Sequence, residues 1–383
     1  MSVRDWLQLA LTEGIGPILT SRLVAAVGSA NAAAHADRRM LANIEGIGSA
    51  RASSLADALR KAGDLVDAEL DRCAVADVQV IALEQEDYPA LLKAIPDPPP
   101  VVYVKGTLEA RDLNAVAIVG SRTCSHYGRE QAERFAGLLA ASGMTVVSGG
   151  ARGIDSSAHR GAMQHPKGRT IAVLGCGLDI VYPPENESLF GQIVERGALL
   201  SEFPLGTPPA RENFPRRNRL ISGLSRGVLV IEADLASGAL ITARQAVDDH
   251  GRPVFALPGR VDNSLSAGPH ALIRDGAVLT TGMADILDGL GPLPVGATLP
   301  AAEEPEVEGD SESPAESSPP PRAPVELSDR QRRILDGLGS DPTDVDGVMA
   351  RTDLTAQVVL QELTVLSLRG LVRRVDGQSY VRR

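Results

Sequence analysis

Between residues 78 and 290, short β-branched apolar runs alternate with segments of helical character. The runs are VQVIAL (78–83), VVYVKG (101–106), AVAIVGS (115–121), TVVSGG (145–150), TIAVLG (170–175), ALLSEF (198–203), GVLVIEA (227–233), PVFALPG (253–259) and AVLTT (277–281). Helical stretches such as 128–142, 154–164, 186–196, 238–250 and 282–290 separate most of them. A strand that is apolar along its whole length suits a sheet covered on both faces, and parallel neighbours need a crossover of helix length between them. The alternation therefore predicts an α/β chain with a doubly wound, extended Rossmann-like, mostly parallel sheet. In that class ligands lie at the C-terminal ends of the strands.

The rest of the chain divides around this block. Residues 1–72 read as helical, and Glu-Gly-Ile-Gly occurs twice, at 13–16 and 45–48. In each copy a glycine turn joins two apolar helices. The spacing resembles a helix-hairpin-helix, in which backbone N–H groups approach a DNA phosphate. A hairpin used only for packing reads the same way, and no Lys or Arg cluster sits in the turns. The α/β block is placed at 75–290. Residues 291–325 hold seven acids against the single base Arg322, together with nine prolines, which predicts a disordered acidic linker. Residues 326–383 suggest three helices and a hairpin around Asp376-Gly377, with Ser328 capping the first helix. That is the pattern of a winged helix, for DNA or for a protein partner.

Net charge is a poor guide to partners here. The chain carries −11, but −6 of that lies in the linker, and charge acts locally. Five arginines face one acid within 366–383. Three widely spaced cysteines, Cys73, Cys124 and Cys176, fit neither a disulfide framework nor a zinc site. The sequence MSVRDWLQLALTEG has no signal-peptide pattern, and no apolar run is long enough to span a membrane. A reduced, cytoplasmic protein is expected, with no metal and no cofactor.

Glycines and arginines gather at the predicted strand ends. AVAIVG leads into Ser121-Arg122, TVVSG into Gly150-Ala151-Arg152-Gly153-Ile154-Asp155, and TIAVLG into Cys176-Gly177-Leu178-Asp179 and Tyr182-Pro183-Pro184-Glu185-Asn186. Such loops present backbone N–H groups to an anion, and Arg122 and Arg152 add charged donors. There is no Walker P-loop, and Arg122 stands where a dinucleotide site needs a second glycine. Phe214-Pro215-Arg216-Arg217-Asn218-Arg219 pairs an aromatic ring with three arginines. A ring that stacks on a base and guanidinium groups that hold phosphates together grip a single strand. The same residues also suit a helix start with Phe in the core and Arg in solvent.

Two catalytic patterns are set aside. Gly223-Leu224-Ser225-Arg226-Gly227 matches the nucleophile elbow, but here a helix precedes it and a strand follows, the reverse of what the elbow requires. Asp155 and His159 share a helix face without a third partner, which favours a structural role.

Taken together, these segments resemble the DNA-processing protein A (DprA, or Smf) family. The resemblance runs in order through YPALLKAIPDPPPVVYVKG (88–106), AIVGSRTCSHYG (117–128), VVSGGARGIDSSAHRGAM (146–163), TIAVLGCGLDIVYPPEN (170–186), SEFPLGTPP (201–209), FPRRNRLISGLS (214–225), EADLASGALITARQA (232–246) and GRPVFALPG (251–259). It implies a non-enzymatic single-stranded DNA-binding protein that protects incoming strands and loads a RecA-type recombinase during natural transformation. It implies that Gly120, Ser121 and Arg122 form one phosphate-holding loop, and Gly149, Gly150 and Arg152 the next. Phe214, Arg217, Asn218 and Arg219 would line the same pocket, with Ser237, Gly238 and Thr242 at its edge. Substituting Arg122 or Arg217 by Glu would then weaken binding without unfolding the chain. The resemblance also implies a homodimer through Leu272 and Ile273. Gly150 stands where the family pattern has a larger residue, which predicts a more flexible loop. The alternative is a nucleotide-processing enzyme of the related phosphoribohydrolase group. Its Pro-Gly-Gly-x-Gly-Thr loop corresponds here to Ser-Gly-Gly-Ala-Arg-Gly-Ile-Asp, without the Thr.

Overall fold

A computed structural model describes residues 2–44 and 46–292, together with 329–338, 343–352, 354, 359, 363, 366, 372–374 and 379–382. The predicted linker beyond residue 292, the Ser328 cap and the Asp376-Gly377 turn lie outside the described residues. The chain divides into two compact units, Met1–Glu306 and Val307–Arg383.

The first unit begins with α1 (Val3–Leu11), α2 (Pro17–Val27), α3 (Ala30–Ala34), α4 (Arg38–Ala42) and the long α5 (Ser49–Val75). Gly14 and Gly46, both at φ +82, make the left-handed turns after α1 and α4. Leu7, Leu9, Leu23, Leu41, Leu55 and Leu59 are buried between these helices. The far end of α5 brings Val66 and Cys73 into the same apolar cluster as Val101 and Tyr103 of the sheet. The helical start and the α/β block thus share one core.

The sheet has nine strands: β1 (Gln79–Ala82), β2 (Val101–Gly106), β3 (Ala115–Val119), β4 (Thr145–Ser148), β5 (Thr170–Val173), β6 (Ala198–Ser201), β7 (Val228–Val230), β8 (Val254–Ala256) and β9 (Val278–Leu279). Their order is β1-β2-β6-β5-β4-β3-β7-β8-β9. From β6 to β9 every pairing is parallel, while β1 and β2 add an antiparallel edge. The mostly parallel, doubly wound α/β class expected from the strand pattern is what the chain adopts. The strand order reverses between β3 and β7, the topological switch point.

Helices cover both faces. On one, α7 (His126–Ala141), α8 (Ile154–Gln164) and α13 (Met283–Leu290) bury Phe135, Leu139, Ile154 and Ile286 against Ile118 and Phe255. On the other, α6 (Ala90–Lys93), α10 (Asn213–Gly223) and α11 (Gly238–Arg244) bury Leu92, Leu220, Ile221 and Leu240. α9 (Glu187–Arg196) packs Leu189, Phe190 and Ile193 into the cluster shared with α5. α12 (Ala267–Arg274) precedes β9. Among the described residues no helix is long and apolar enough to cross a membrane.

The second unit contains α14 (Asp329–Gly337), α15 (Val345–Thr352) and a three-stranded sheet of β10 (Thr343–Asp344), β12 (Ser379–Arg382) and β11 (Val372–Arg374). Ile334, Leu335, Leu338, Val348, Val359, Leu363, Leu366 and Val372 form its core.

Candidate nucleic-acid interface

The loops leaving β3 and β4 are locked against each other by close backbone approach. Ile154 N–H donates to the Ser121 carbonyl at 3.2 Å. Gly153 sits at φ +73, and a Cβ there would lie 2.3 Å from that carbonyl. A Cβ on Gly120 would lie 2.6 Å from Ile154 Cγ1. Ser121 is buried, and its hydroxyl accepts from Thr123 N–H at 3.2 Å. This packing leaves Arg122 exposed, with its guanidinium 5.0 Å from the centroid of the Phe214 ring.

Phe214 stands in the first turn of α10 and is half-buried. Gly175, just beyond β5, gives the ring its place, since a Cβ there would be 3.0 Å from Phe214 Cδ1. Tyr182 lies beside it, ring centroids 5.7 Å apart and tilted by 37°. A small cleft opens between Arg122, Arg152, Gly175, Tyr182, Phe214 and Arg217. Arg152 is exposed and paired with Glu185, with Nη2 to Oε2 at 3.0 Å. The cleft therefore combines aromatic surface with arginines that follow β3 and β4 and with Arg217 of α10. Anions and flat rings are the chemistry it can hold.

The arginines of α10 serve different purposes. Arg217 is only 4% exposed. Its Nη1 donates to the Gly149 carbonyl at 2.5 Å and to the Val173 carbonyl, tying the ends of β4 and β5 together. Burial lowers its pKa to about 10, opposed by the neighbouring Asp155 carboxylate. Burial likewise raises the Asp155 pKa, opposed by Arg217 and by the Ala151 N–H, which donates to Asp155 at 3.3 Å. Arg219 points elsewhere: it donates to the Asp97 carbonyl at 2.6 Å and pairs with Glu202. It does not line the Phe214 cleft, because one helical residue turns a side chain by about 100° and Arg219 is two positions beyond Arg217. Asn218 Nδ2 donates to the Gly238 carbonyl at 3.3 Å. Ser237 caps α11 through Ala239 N–H, and Thr242 is buried. Asn218, Ser237, Gly238 and Thr242 thus belong to the α10–α11 junction and not to the cleft wall.

Gly150 is at φ +64, and a Cβ there would lie 3.0 Å from Phe190 and 3.2 Å from Leu174. A larger residue would have to shift both side chains and adopt a left-handed backbone, so the glycine marks a tightly packed turn and not the loosened loop its sequence suggests. Leu272, on α12, is half-buried and packs against the sheet's own core. Ile273 beside it is half-buried too.

The crevice at the switch point is closed by the chain itself. Glu232, after β7, is 3% exposed. Its carboxylate accepts from Ser125 N–H at 2.8 Å and from the Ser125 hydroxyl at 2.6 Å, at the N-terminus of α7. A Cβ on Gly128 would lie 2.3 Å from Glu232 Oε2. The position where a doubly wound sheet commonly takes a phosphate is filled by a carboxylate. Glu232 does not emerge from the sequence; Tyr182 does, as part of the loop after β5, but not as an aromatic wall beside Phe214.

The catalytic patterns have structural explanations. Ser225 is buried between α10 and β7, and its hydroxyl donates to the Ile221 carbonyl at 2.9 Å. His159 is buried with Nδ1 2.7 Å from the Thr170 hydroxyl. Burial lowers its pKa to about 3 and keeps the ring neutral. Among the described residues no group of His, Cys, Asp and Glu is arranged to hold a metal.

Comparison with known proteins gives consistent results. A family model described as DNA recombination-mediator protein A matches residues 79–291, and a DprA winged helix domain model matches residues 318–378. A protein named Smf from Synechocystis is 36% identical over 99% of this chain and 98% of its own length. Another Smf, from Escherichia coli, is 42% identical over 79% of this chain and 77% of its own. The crystal structure of DNA processing protein A from Streptococcus pneumoniae superposes with a TM-score of 0.63 at 33% identity, covering 75% of this chain and 98% of that one.

Proposed function

The chain belongs to the DNA recombination-mediator protein A family, and from that we propose that it binds single-stranded DNA and hands the strand to a RecA-type recombinase during DNA processing in transformation. The observation that carries this reading is the exposed Arg122 guanidinium set 5.0 Å from the half-buried Phe214 ring at the strand ends. A base stacks on such a ring while the guanidinium holds its phosphate. The protein acts in the cytoplasm as a homodimer, with Leu272 and Ile273 near the contact. The C-terminal winged helix adds a site for duplex DNA or for a protein.

The reading is of a binding protein without a catalytic step. In support, the Asp155 carboxylate, on which a hydrolytic reading would rest, is buried and faces Arg217 and the Ala151 N–H. The test is a titration of the full chain with a fluorescent thymine oligomer and with a duplex of equal length, at near-physiological salt. Tight single-strand binding that Arg122→Glu abolishes is expected. Normal binding by that variant would overturn the assignment of the cleft.

A further inference from the structure

Phe214 is delivered to the cleft by residues 202–212, a segment without helix or strand between β6 and α10. A chain of this kind loses much conformational entropy when it is ordered, so its fixed points decide where the ring stands. Two of those points come from the loop after β5. Gly206 N–H donates to Asp179 Oδ1 at 2.9 Å, and Gly177 N–H donates to the Thr207 carbonyl at 2.9 Å.

At its start Glu202 pairs with Arg219 of α10, and further points come from the N-terminal helices. Glu69, on α5, is 1% exposed. Its Oε1 accepts from Leu205 N–H at 2.8 Å, and its Oε2 pairs with Arg72. Arg72 Nη1 in turn donates to the Leu205 carbonyl at 3.3 Å. One residue of the loop, Leu205, is therefore gripped at both its N–H and its C=O by two side chains a helical turn apart. Leu205 itself is buried in the cluster that α5 shares with the sheet. A carboxylate buried this deeply costs free energy unless it is paired and hydrogen-bonded. Its partners here are an arginine and the loop that leads to Phe214, with the Tyr103 hydroxyl of β2 beside it.

We propose that Glu69, with Arg72, is a positioning residue for the nucleic-acid site, holding residues 202–212 so that Phe214 faces Arg122. This rests on the reading of the cleft given above. It makes the N-terminal helical region part of the strand-binding unit, whatever its glycine turns bind. A separate module would leave the cleft untouched when altered; this clamp does not.

The experiment is a double-mutant cycle on the full chain, reading affinity for a thymine oligomer, with Glu69→Ala, Phe214→Ala and the pair. Glu69→Ala is expected to weaken binding about tenfold. Because the clamp acts through the ring, the double variant should bind no more weakly than Phe214→Ala alone. A general loss of structure would instead add its effect to that of Phe214→Ala. Should Glu69→Ala fail to fold, Glu69→Leu removes the acceptor for Leu205 N–H while filling most of the space and serves in the same cycle. Additive effects, or wild-type affinity in the Glu69 variants while Phe214→Ala binds weakly, would overturn the clamp. Wild-type affinity in Phe214→Ala would instead overturn the reading of the cleft, and the clamp's role with it.

Discussion

Arg217 and Asp155 converge on one side of Gly149: a Cβ there would lie 2.7 Å from Asp155 Oδ2 and 2.9 Å from both terminal nitrogens of Arg217. Arg217 also satisfies the carbonyls of Gly149 and Val173. Removing its side chain leaves a buried carboxylate without its neighbouring cation and two carbonyls short of a donor. Arg217→Ala is therefore expected to destabilise the fold by roughly 3–5 kcal/mol, read as a lowered midpoint in urea. This replaces the expectation that Arg217 can be reversed in charge without unfolding. Exposed Arg122 is the contrast: Arg122→Glu should leave the urea midpoint unchanged.

Arg122 and Phe214 should separate by salt dependence. Arg122→Ala removes one phosphate contact, so the slope of log affinity against log salt should become shallower by about 0.7. Phe214→Ala removes a stacking surface worth about 1–3 kcal/mol and should leave the slope as it is. Equal slopes in all three proteins would remove Arg122 from the phosphate path.

The contrast between these two arginines also marks what the sequence could disclose. Strand-end glycines reveal themselves locally, because left-handed turns and close approach leave a signature in a few adjacent residues, as at Gly149-Gly150 and Gly153. Arg122 follows such a turn and is placed by it. The roles of Arg217 and Arg219 depend on groups far along the chain: Gly149, Val173, Asp97 and Glu202. A run of arginines beside a phenylalanine looks like one basic surface, yet helix periodicity sends each guanidinium to a different environment. The clamp on Leu205 was beyond reach for the same reason, since Glu69 lies on a helix that the sequence assigns to a separate domain. The apolar strands were legible because each carries its own pattern, whereas the antiparallel pairing of β2 with β6 joins segments almost a hundred residues apart.

Acid should destabilise the fold partly through His159. Its pKa is about 3 when folded, against an ordinary value of 6.5, because burial disfavours the charged ring. Between those values the unfolded chain binds a proton that the folded chain does not, so stability falls as pH falls, by up to about 1.4 kcal/mol per pH unit. Asp155 acts in the opposite sense: its raised pKa means the folded state takes up a proton first, which offsets part of the loss at lower pH. His159→Gln should flatten the decline in unfolding free energy between pH 6.5 and 4. A decline as steep as that of the unaltered protein would show that other groups dominate.

Gly153 couples the two loops that form the cleft rim. With φ at +73 and the carbonyls of Ser121 and Arg122 at 2.3 and 2.7 Å from an added Cβ, Gly153→Ala must push the rim apart. The substitution should lower the melting temperature and weaken oligomer binding together, whereas Gly238→Ala, with nothing within 4 Å of the added carbon, should change affinity little.

Glu232 offers the sharpest test of why the ligand site is displaced from the switch point. Its carboxylate is the anion at the start of α7, bonded to the Ser125 backbone N–H and hydroxyl, and a helix N-terminus favours negative charge there. Glu232→Ala removes that anion and opens space beside Gly128. The variant should be less stable than the parent in buffer without phosphate, by about 1–3 kcal/mol for the unsatisfied donors. Inorganic phosphate should then raise its melting temperature in a concentration-dependent manner, as any ligand of the folded state does. Glu232→Gln keeps an acceptor in place and should show no such rise. If phosphate stabilises the parent and Glu232→Ala equally, the carboxylate is not what closes the switch point, and the crevice is closed by packing alone.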